Sequence, residues 1–369
     1  MIYFLVNNNY HRYDLERNKA NFHDSDITVI EIPHNLDQKC EGGFYNTFRF
    51  QPKEKSSLIV YFFNYLLVAR KIKKIKPTSS DILFLYTEFE LMNQLVVRLF
   101  KAVGARVYLI EDGGMGTYVP FRSQFSEALT LKEHLKKIIY SMLPGLNELR
   151  FHKMNGVVFR WLPDLYFDGV CEYAPIPHRR KIPTILVRRP NIPSLQSTVK
   201  ARVIFLNECI YDYYQNEDQY LSGLMVILDN LIFNFNEVYF KFHPREAPEW
   251  RANITIKVLN KYPTLKIIDN KTAFEEMVDI YRPAILASYF SSALLSLIEC
   301  GIEPLYLYHL IPELREQPIF KEVTSILNQM GYKFAPSFSA INKNYQSGLI
   351  GRRYKEAITL ADITYSSRE

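Results

Sequence analysis

The sequence lacks the cysteine patterns that a zinc site or a disulfide framework would need. The chain has 369 residues but only four cysteines, which are far apart and show no CxxC or Cys/His spacing: Cys40, Cys171, Cys209 and Cys300. A structural metal or a set of disulfides is therefore not expected. The scarcity of cysteine favours a reducing compartment.

Long apolar runs and targeting segments are missing as well. The longest apolar stretch, 58–69, is too short to span a bilayer and is interrupted by Asn64. The amino terminus reads MIYFLVNNNY, a strand followed by a turn, without the basic region or cleavage site of a signal peptide. We therefore expect a cytoplasmic protein.

A strong excess of charge of either sign is also missing. Lys and Arg number 45 against 39 Asp and Glu, which gives a formal net charge of +6 and a pI near 8.9. This balance is too weak for a nucleic-acid binder, but it suits an acidic ligand or an anionic membrane surface. Two basic amphipathic segments, 58–75 and 131–150, are typical of helices that pack on their own sheet. Most helices of this kind pack on their own sheet, which is the favoured interpretation, and peripheral contact with the inner face of the cell membrane is the alternative.

What the sequence does contain is a regular alternation of strand-like and helix-like segments. In the first half, runs of β-branched and aromatic residues predict strands at 2–6, 27–32, 82–86 and 107–110. Apolar residues at helical spacing predict helices at 56–75 and 90–103, the second closed by Gly104. Strands that alternate with helices form parallel βαβ units, so a doubly wound sheet is expected.

A second alternating series follows a proline-rich, basic segment at 172–183, which we interpret as a linker. Its strands are predicted at 203–206, 237–242, 265–268, 284–287 and 304–308, and its clearest helices at 221–233 and 291–300. The fold class is therefore α/β, with two doubly wound, Rossmann-like lobes and a cleft between them. We predict a first lobe at 1–180, a second lobe at 181–345 and a C-terminal helical segment at 346–369.

The first candidate site lies where the strand at 107–110 ends. This strand leads directly into Glu111, Asp112 and Gly113. Ligands of open α/β sheets bind just beyond the carboxyl ends of the strands, and a glycine there allows a close approach of the substrate. One of two adjacent carboxylates can serve as a base. An ordinary acidic turn is the alternative interpretation.

The second candidate site follows the strand at 237–242. His243 can donate a proton or a charge-assisted hydrogen bond to a departing phosphate. Pro244 favours an extended backbone at His243 and so limits where the imidazole can point. A structural loop histidine is the alternative.

The third candidate site lies between the strand at 284–287 and the helix predicted at 291–300. Three serines, Ser288, Ser291 and Ser292, precede or begin that helix. Serines cap the free N–H groups of a helix start, and the same groups bind phosphate. Simple N-capping is the alternative for any one of these serines, and their clustering favours phosphate binding.

At these residues the sequence resembles the bacterial sialyltransferases and polysialyltransferases. The family's marks are an acidic pair before Gly, then His-Pro, then paired hydroxyl residues, which are here Glu111-Asp112-Gly113, His243-Pro244 and Ser291-Ser292. The resemblance implies a GT-B fold, CMP-sialic acid as the donor, and inverting catalysis without a metal or another cofactor.

The resemblance also implies a role for each motif. The family's first motif acid is its general base, which falls on Glu111, although many members have Asp there and the choice between Glu111 and Asp112 stays open. The histidine that assists phosphate departure falls on His243, and the hydroxyls that hold the CMP phosphate fall on Ser291 and Ser292. An acid that often holds the nucleotide matches Glu275 or Glu276 loosely.

The sequence thus predicts a sialyltransferase that acts on a bacterial lipopolysaccharide, O-antigen or capsule glycan, with a galactose- or glucose-terminated acceptor. Two alternatives remain beside it. One is another GT-B transferase that uses CMP-Kdo, a CDP-alditol or a UDP-sugar. The other is a non-catalytic, membrane-associated assembly protein, which the two basic amphipathic segments would suit.

Overall fold

The computed structural model of the chain describes the following residues: 1–19, 22, 27–35, 46–49, 58–111, 128–142, 150–154, 157–174, 181–188, 199–243, 246–268, 274–295, 297–350 and 357–365. Among them are the acid Glu111 and the histidine His243. Asp112, Gly113 and Pro244 lie outside the described residues.

The described strands of the first half are β1 (Ile2–Asn8), β2 (Ile27–Asn35), β3 (Asn46–Arg49), β4 (Ile82–Leu85), β5 (Arg106–Ile110), β6 (Arg150–Met154), β7 (Val157–Trp161), β8 (Gly169–Glu172) and β9 (Thr184–Leu186). Seven of them form a parallel sheet in the order β3-β2-β1-β4-β5-β8-β9, and β6 and β7 form a separate antiparallel hairpin. The α-helices that the structure describes here are α1 (Asn9–Asn18), α2 (Leu58–Ile72), α3 (Leu91–Ala102) and α4 (Leu131–Ser141).

The centre of this sheet is buried because its strands are apolar on both faces. Ile2 of β1 is in register with Ile27 of β2 on one side and with Ile82 of β4 on the other. Phe4 stacks on Phe84 across the sheet, with ring centroids 5.1 Å apart. The doubly wound sheet predicted for the first half is confirmed.

Gly104 ends helix α3 as its sequence position predicts. Its φ of +79° is left-handed, and an L side chain rarely adopts this conformation. The chain then turns at once into β5, which delivers Glu111 to the carboxyl edge of the sheet.

The first sheet extends beyond position 180. Strand β9 pairs in parallel with β8, on the far side of the segment interpreted as a linker. These two strands are only four and three residues long, too short for a periodic sequence signal, and their pairing depends on neighbouring strands in the fold.

The described strands and α-helices of the second alternating series are β10 (Val199–Leu206), α5 (Glu217–Asn234), β11 (Glu237–Lys241), α6 (Pro248–Lys261), β12 (Lys266–Ile267), α7 (Phe274–Tyr281), β13 (Pro283–Ser288), β14 (Glu303–Tyr306), α8 (Pro312–Arg315) and α9 (Pro318–Gln329). These five strands form a parallel sheet in the order β12-β11-β10-β13-β14. The strand order reverses between β10 and β13, which makes their carboxyl ends the switch point where ligands of such sheets bind.

The continuous helix predicted at 291–300 is wrong. The described residues of this stretch form two short 3-10 turns, Ser292–Leu294 and Ile298–Cys300. The Ser291 carbonyl accepts from the Leu294 N–H, three residues on, and also from the Tyr306 hydroxyl. An external donor at this carbonyl supports the tighter turn in place of a regular first helical turn.

The last described segment returns to the first lobe. Ile358 forms a parallel bridge with Val187, just after β9, and helix α10 (Leu360–Tyr365) follows. Leu360, Ala361 and Ile363 are buried in the same apolar cluster as Phe4 and Phe84. This packing ties the end of the chain to the first sheet.

Among the helices that the structure describes, none combines the length and the apolar character needed to cross a membrane.

Candidate active site

Polar side chains gather at the carboxyl ends of the central strands of the second sheet. Asn207 and Glu208 follow β10, His243 follows β11, and Ser291 follows β13 by three residues. These strands are neighbours in the sheet, so their ends meet at the switch point.

Glu208 joins two of these strand ends. Its carboxylate is buried and its Oε2 accepts a hydrogen bond of 2.8 Å from the Phe290 N–H. This bond, made by a charged acceptor, holds the turn that carries Ser291 against the end of β10.

Ser288 makes a second link at the same place. Its side chain is fully buried and its hydroxyl donates to the Leu206 carbonyl over 2.9 Å. The hydroxyl therefore stabilises the pairing of β10 with β13, and its proton is not directed at a phosphate.

His243 lies at the end of β11, half-buried, beside an exposed cysteine. Its Nδ1 is 3.6 Å from the Cys209 Sγ, and its backbone carbonyl accepts from the Glu246 N–H over 3.1 Å. These two contacts hold the backbone at His243 and one edge of its imidazole ring.

The buried carboxyl of Glu246 lies next to the backbone turn at His243. Glu246 accepts from the Asn207 side-chain amide over 2.7 Å, and Asn207 in turn accepts from the Tyr220 hydroxyl over 3.0 Å. Burial raises the pKa of Glu246 to about 7, although Asn207, Tyr211, the backbone at His243 and the Arg251 charge all act to lower it. The ends of β10 and β11 are thus joined through a carboxyl that titrates near neutral pH.

This raised pKa predicts a stability that depends on pH. In the unfolded chain the pKa of this carboxyl is about 4.3. The raised pKa in the folded protein therefore stabilises the fold fully below that pH, and this stabilisation is lost as the pH rises through about 7. Between about pH 5 and about pH 8 we expect the free energy of unfolding of the wild type to fall by about 2 to 3 kcal/mol relative to Glu246→Gln, which keeps an acceptor for Asn207. Chemical denaturation at both pH values measures the difference. The same pH dependence in both proteins would contradict it.

In the first lobe, Glu111 lies directly at the end of β5. The side chain is fully buried, and its Oε2 accepts from the backbone N–H groups of Tyr173 and Ala174, over 2.9 and 3.3 Å. The Glu111 N–H donates to the Cys171 carbonyl over 2.9 Å. Through these hydrogen bonds Glu111 links the end of β5 to the end of β8, and this structural role is independent of any catalytic role.

Tyr306, in β14, contacts the serine turn of the second lobe. Its hydroxyl donates to the Ser291 carbonyl over 3.2 Å. Burial raises the pKa of Tyr306 well above its usual range, and the charges of Glu208 and Glu111 raise it further, as does the neighbouring Tyr308. The raised pKa keeps the Tyr306 hydroxyl protonated, so it acts as a donor to the Ser291 carbonyl.

The structure thus places Glu111 at the end of β5 in the first sheet, and His243 and Ser291 beyond the ends of the two strands that flank β10 in the second. Ser292 begins a 3-10 turn beside Ser291, and Glu275 lies in α7, but the side chains of Ser292, Glu275 and Glu276 are outside the described residues. Their predicted contacts with the nucleotide stay predictions.

Sequence reasoning missed Glu208 and Tyr306. For Glu208 a signal existed, because Asn207-Glu208 follows the apolar strand β10 in the same way that Glu111-Asp112 follows β5. Tyr306 sits within a strand among other aromatic residues and carries no such signal. Only its hydrogen bond to Ser291 identifies it.

Two doubly wound parallel sheets, with polar groups at the carboxyl ends of strands in both, define a protein of the GT-B class. Among solved structures the chain is similar to a Listeria monocytogenes protein assigned as a UDP-N-acetylglucosamine 2-epimerase, at 9% identity and a TM-score of 0.51, covering 98% of this chain and 93% of that one. It is also similar to MurG of Acinetobacter baumannii (10% identity, TM-score 0.48, 100% and 99% covered) and to an alpha/beta-galactoside alpha-2,3-sialyltransferase of Photobacterium phosphoreum (11%, 0.49, 89% and 95%). At these identities the likeness concerns the fold.

The chain belongs to the alpha-2,8-polysialyltransferase (POLYST) family, which matches residues 6–299. The match begins in β1 and ends in the second 3-10 turn, so it includes Glu111, His243 and Ser291. The protein is therefore a glycosyltransferase of the sialyltransferase type, as its motifs predict. A comparison with curated proteins gives no match.

Proposed function

We propose that the protein transfers sialic acid from CMP-sialic acid to a hydroxyl of a bacterial surface glycan, with inversion at the anomeric carbon and without a metal. The observation that carries the proposal is that Glu208 and Tyr306 hold the Ser291 turn at the switch point of the second sheet, one strand away from the strand end that carries His243. The family match across both lobes supports it.

The chemistry needs a base on the acceptor side. As the acceptor hydroxyl attacks the anomeric carbon, its proton passes to a carboxylate of the Glu111-Asp112 pair. The new glycosidic bond forms while the bond to the CMP phosphate breaks, and the electron pair leaves with the phosphate. A single displacement of this kind inverts the anomeric configuration.

The leaving group needs donors on the other side. His243 and the hydroxyls of Ser291 and Ser292 can hydrogen-bond the phosphate as its negative charge grows. Because Ser292–Leu294 is a 3-10 turn rather than the start of a long helix, these local donors, and not a helix dipole, stabilise the phosphate. Glu208 and Tyr306 position the turn by hydrogen bonds to its backbone, Glu208 at the Phe290 N–H and Tyr306 at the Ser291 carbonyl.

Nucleotide binding tests the donor assignment. We expect CMP, and not UDP, to raise the melting temperature of the purified protein, and CMP-sialic acid to be turned over to CMP faster when a galactose- or glucose-terminated acceptor is added. Removal of the Phe290 acceptor in Glu208→Ala should raise the CMP dissociation constant about tenfold, since the turn then has an unsatisfied N–H. Addition of EDTA should leave the rate unchanged.

Glu316→Ala is the matched control, because this exposed glutamate lies in the second lobe at an ion pair with Lys321 and Arg315. It should bind CMP as the wild type does. Stabilisation by UDP but not by CMP or CDP would overturn the donor assignment. Absence of CMP release across a broad acceptor panel would overturn the transfer itself.

A further inference from the structure

Helix α4 of the first lobe carries its apolar side chains outward. Leu131, Leu135, Ile138 and Met142 follow one another at steps of four, three and four residues, so they form one stripe, here named the α4 stripe. Their side chains are 78%, 52%, 56% and 74% exposed. A helix that packed on a core would bury such a stripe.

The opposite face of α4 attaches the helix to the β6–β7 hairpin. Glu133 pairs with Lys153 over 3.2 Å, and the Tyr140 ring stacks on Phe151 with centroids 6.5 Å apart. The Lys137 ammonium lies 6.0 Å from the centroid of the same Phe151 ring. The helix is thus held through its polar and aromatic face, and the apolar face is left to solvent.

Helix α2, the other basic amphipathic segment, behaves differently. It buries Tyr65, Val68 and Ile72 in the core of the first lobe, although Phe63 and Leu67 remain exposed. Packing on its own sheet therefore accounts for the apolar face of α2. It does not account for that of α4.

Positive charge flanks the α4 stripe. Lys132 and Lys136 are exposed on one side of it, next to Leu131 and Leu135 in the sequence. A capping box, in which Thr130 and Glu133 exchange hydrogen bonds, begins the helix without help from the rest of the fold. The result is a preformed helix with leucine, isoleucine and methionine on one face and lysines beside them.

We propose that the α4 stripe docks onto an anionic lipid bilayer, with the helix lying in the plane of the interface. Apolar side chains enter the boundary between headgroups and acyl chains, and Lys132 and Lys136 meet the lipid phosphates, which is how amphipathic helices bind membranes. A second copy of the chain fits less well. Four side chains supply roughly half or less of the area of about 800 Å² per partner that a stable interface buries, and the flanking lysines of two copies would repel each other.

Vesicle flotation with the full chain tests the proposal. Wild-type protein should float with vesicles of mixed phosphatidylcholine and phosphatidylglycerol, bind pure phosphatidylcholine weakly, and lose binding as the salt concentration rises. Leu135→Glu combined with Ile138→Glu should lower the bound fraction on the order of tenfold or more. Both positions are exposed, so the circular dichroism and the rate on a soluble acceptor should stay at wild-type values.

The matched control is Val226→Glu combined with Phe233→Glu on helix α5 of the second lobe, where the two side chains are 43% and 88% exposed. It should float as the wild type does. Wild-type protein that does not bind anionic vesicles would overturn the proposal, as would an unchanged stripe variant or a control that loses binding equally. A dimer in sedimentation velocity that the stripe variant separates, without vesicle binding, would assign the surface to a second copy instead.

Discussion

Glu111→Gln is expected to lower kcat/KM for sialyl transfer by about two to four orders of magnitude, the usual contribution of a general base. The amide keeps the shape of the side chain and one acceptor oxygen for the backbone N–H groups of Tyr173 and Ala174. It cannot take a proton from the acceptor hydroxyl. Release of CMP from CMP-sialic acid with a saturating acceptor measures the loss, and the CMP dissociation constant should change little.

Asp112→Asn separates the two acids of the pair. If Asp112→Asn lowers the rate of transfer while Glu111→Gln leaves it unchanged, the base is Asp112. Glu111 then has only the structural role of linking β5 to β8. If both variants turn over at the wild-type rate, the acid pair is not the source of the base. The melting temperature of each variant distinguishes a chemical loss from a loss of structure, because Glu111 is fully buried and Asp112 directly follows it.

His243→Ala is expected to lower kcat by about two to three orders of magnitude. The imidazole donates a hydrogen bond to the departing phosphate as negative charge grows there. This charge is larger in the transition state than in bound CMP-sialic acid. The effect should therefore appear in kcat and only weakly in the KM for CMP-sialic acid. Steady-state kinetics of CMP release give both quantities.

Cys209→Ala is the matched control for His243→Ala. It removes the sulfur that lies 3.6 Å from Nδ1 and leaves the imidazole in place. We expect a change in kcat of less than about tenfold, because the turn is still held by the Glu246 N–H. Wild-type kcat in His243→Ala would show that phosphate departure does not need the histidine.

Sequence patterns predicted the fold well where the signal is local. The alternation of apolar strands with amphipathic helices is a property of short windows, so it revealed β1, β4, β10 and β13 and the doubly wound order of both halves. The same patterns failed for β8 and β9, which are short and pair only with neighbours supplied by the fold. They also predicted a helix where the described residues form two 3-10 turns, and no local pattern shows that Tyr306, on a later strand, donates to the Ser291 carbonyl beside the first of them.

The sequence by itself determined where chemistry is to be expected: Glu111-Asp112 after β5, His243 after β11 and the serines after β13, each at the end of a buried parallel strand. That rule needs only the strand and the residues that follow it. Tertiary structure alone decided what each side chain does there. It buries Ser288 in the sheet, holds Glu111 on the backbone of Tyr173 and Ala174, and brings Glu208 to Phe290. Hydrogen bonds of this kind join residues far apart along the chain, and no local pattern encodes which strand ends will meet.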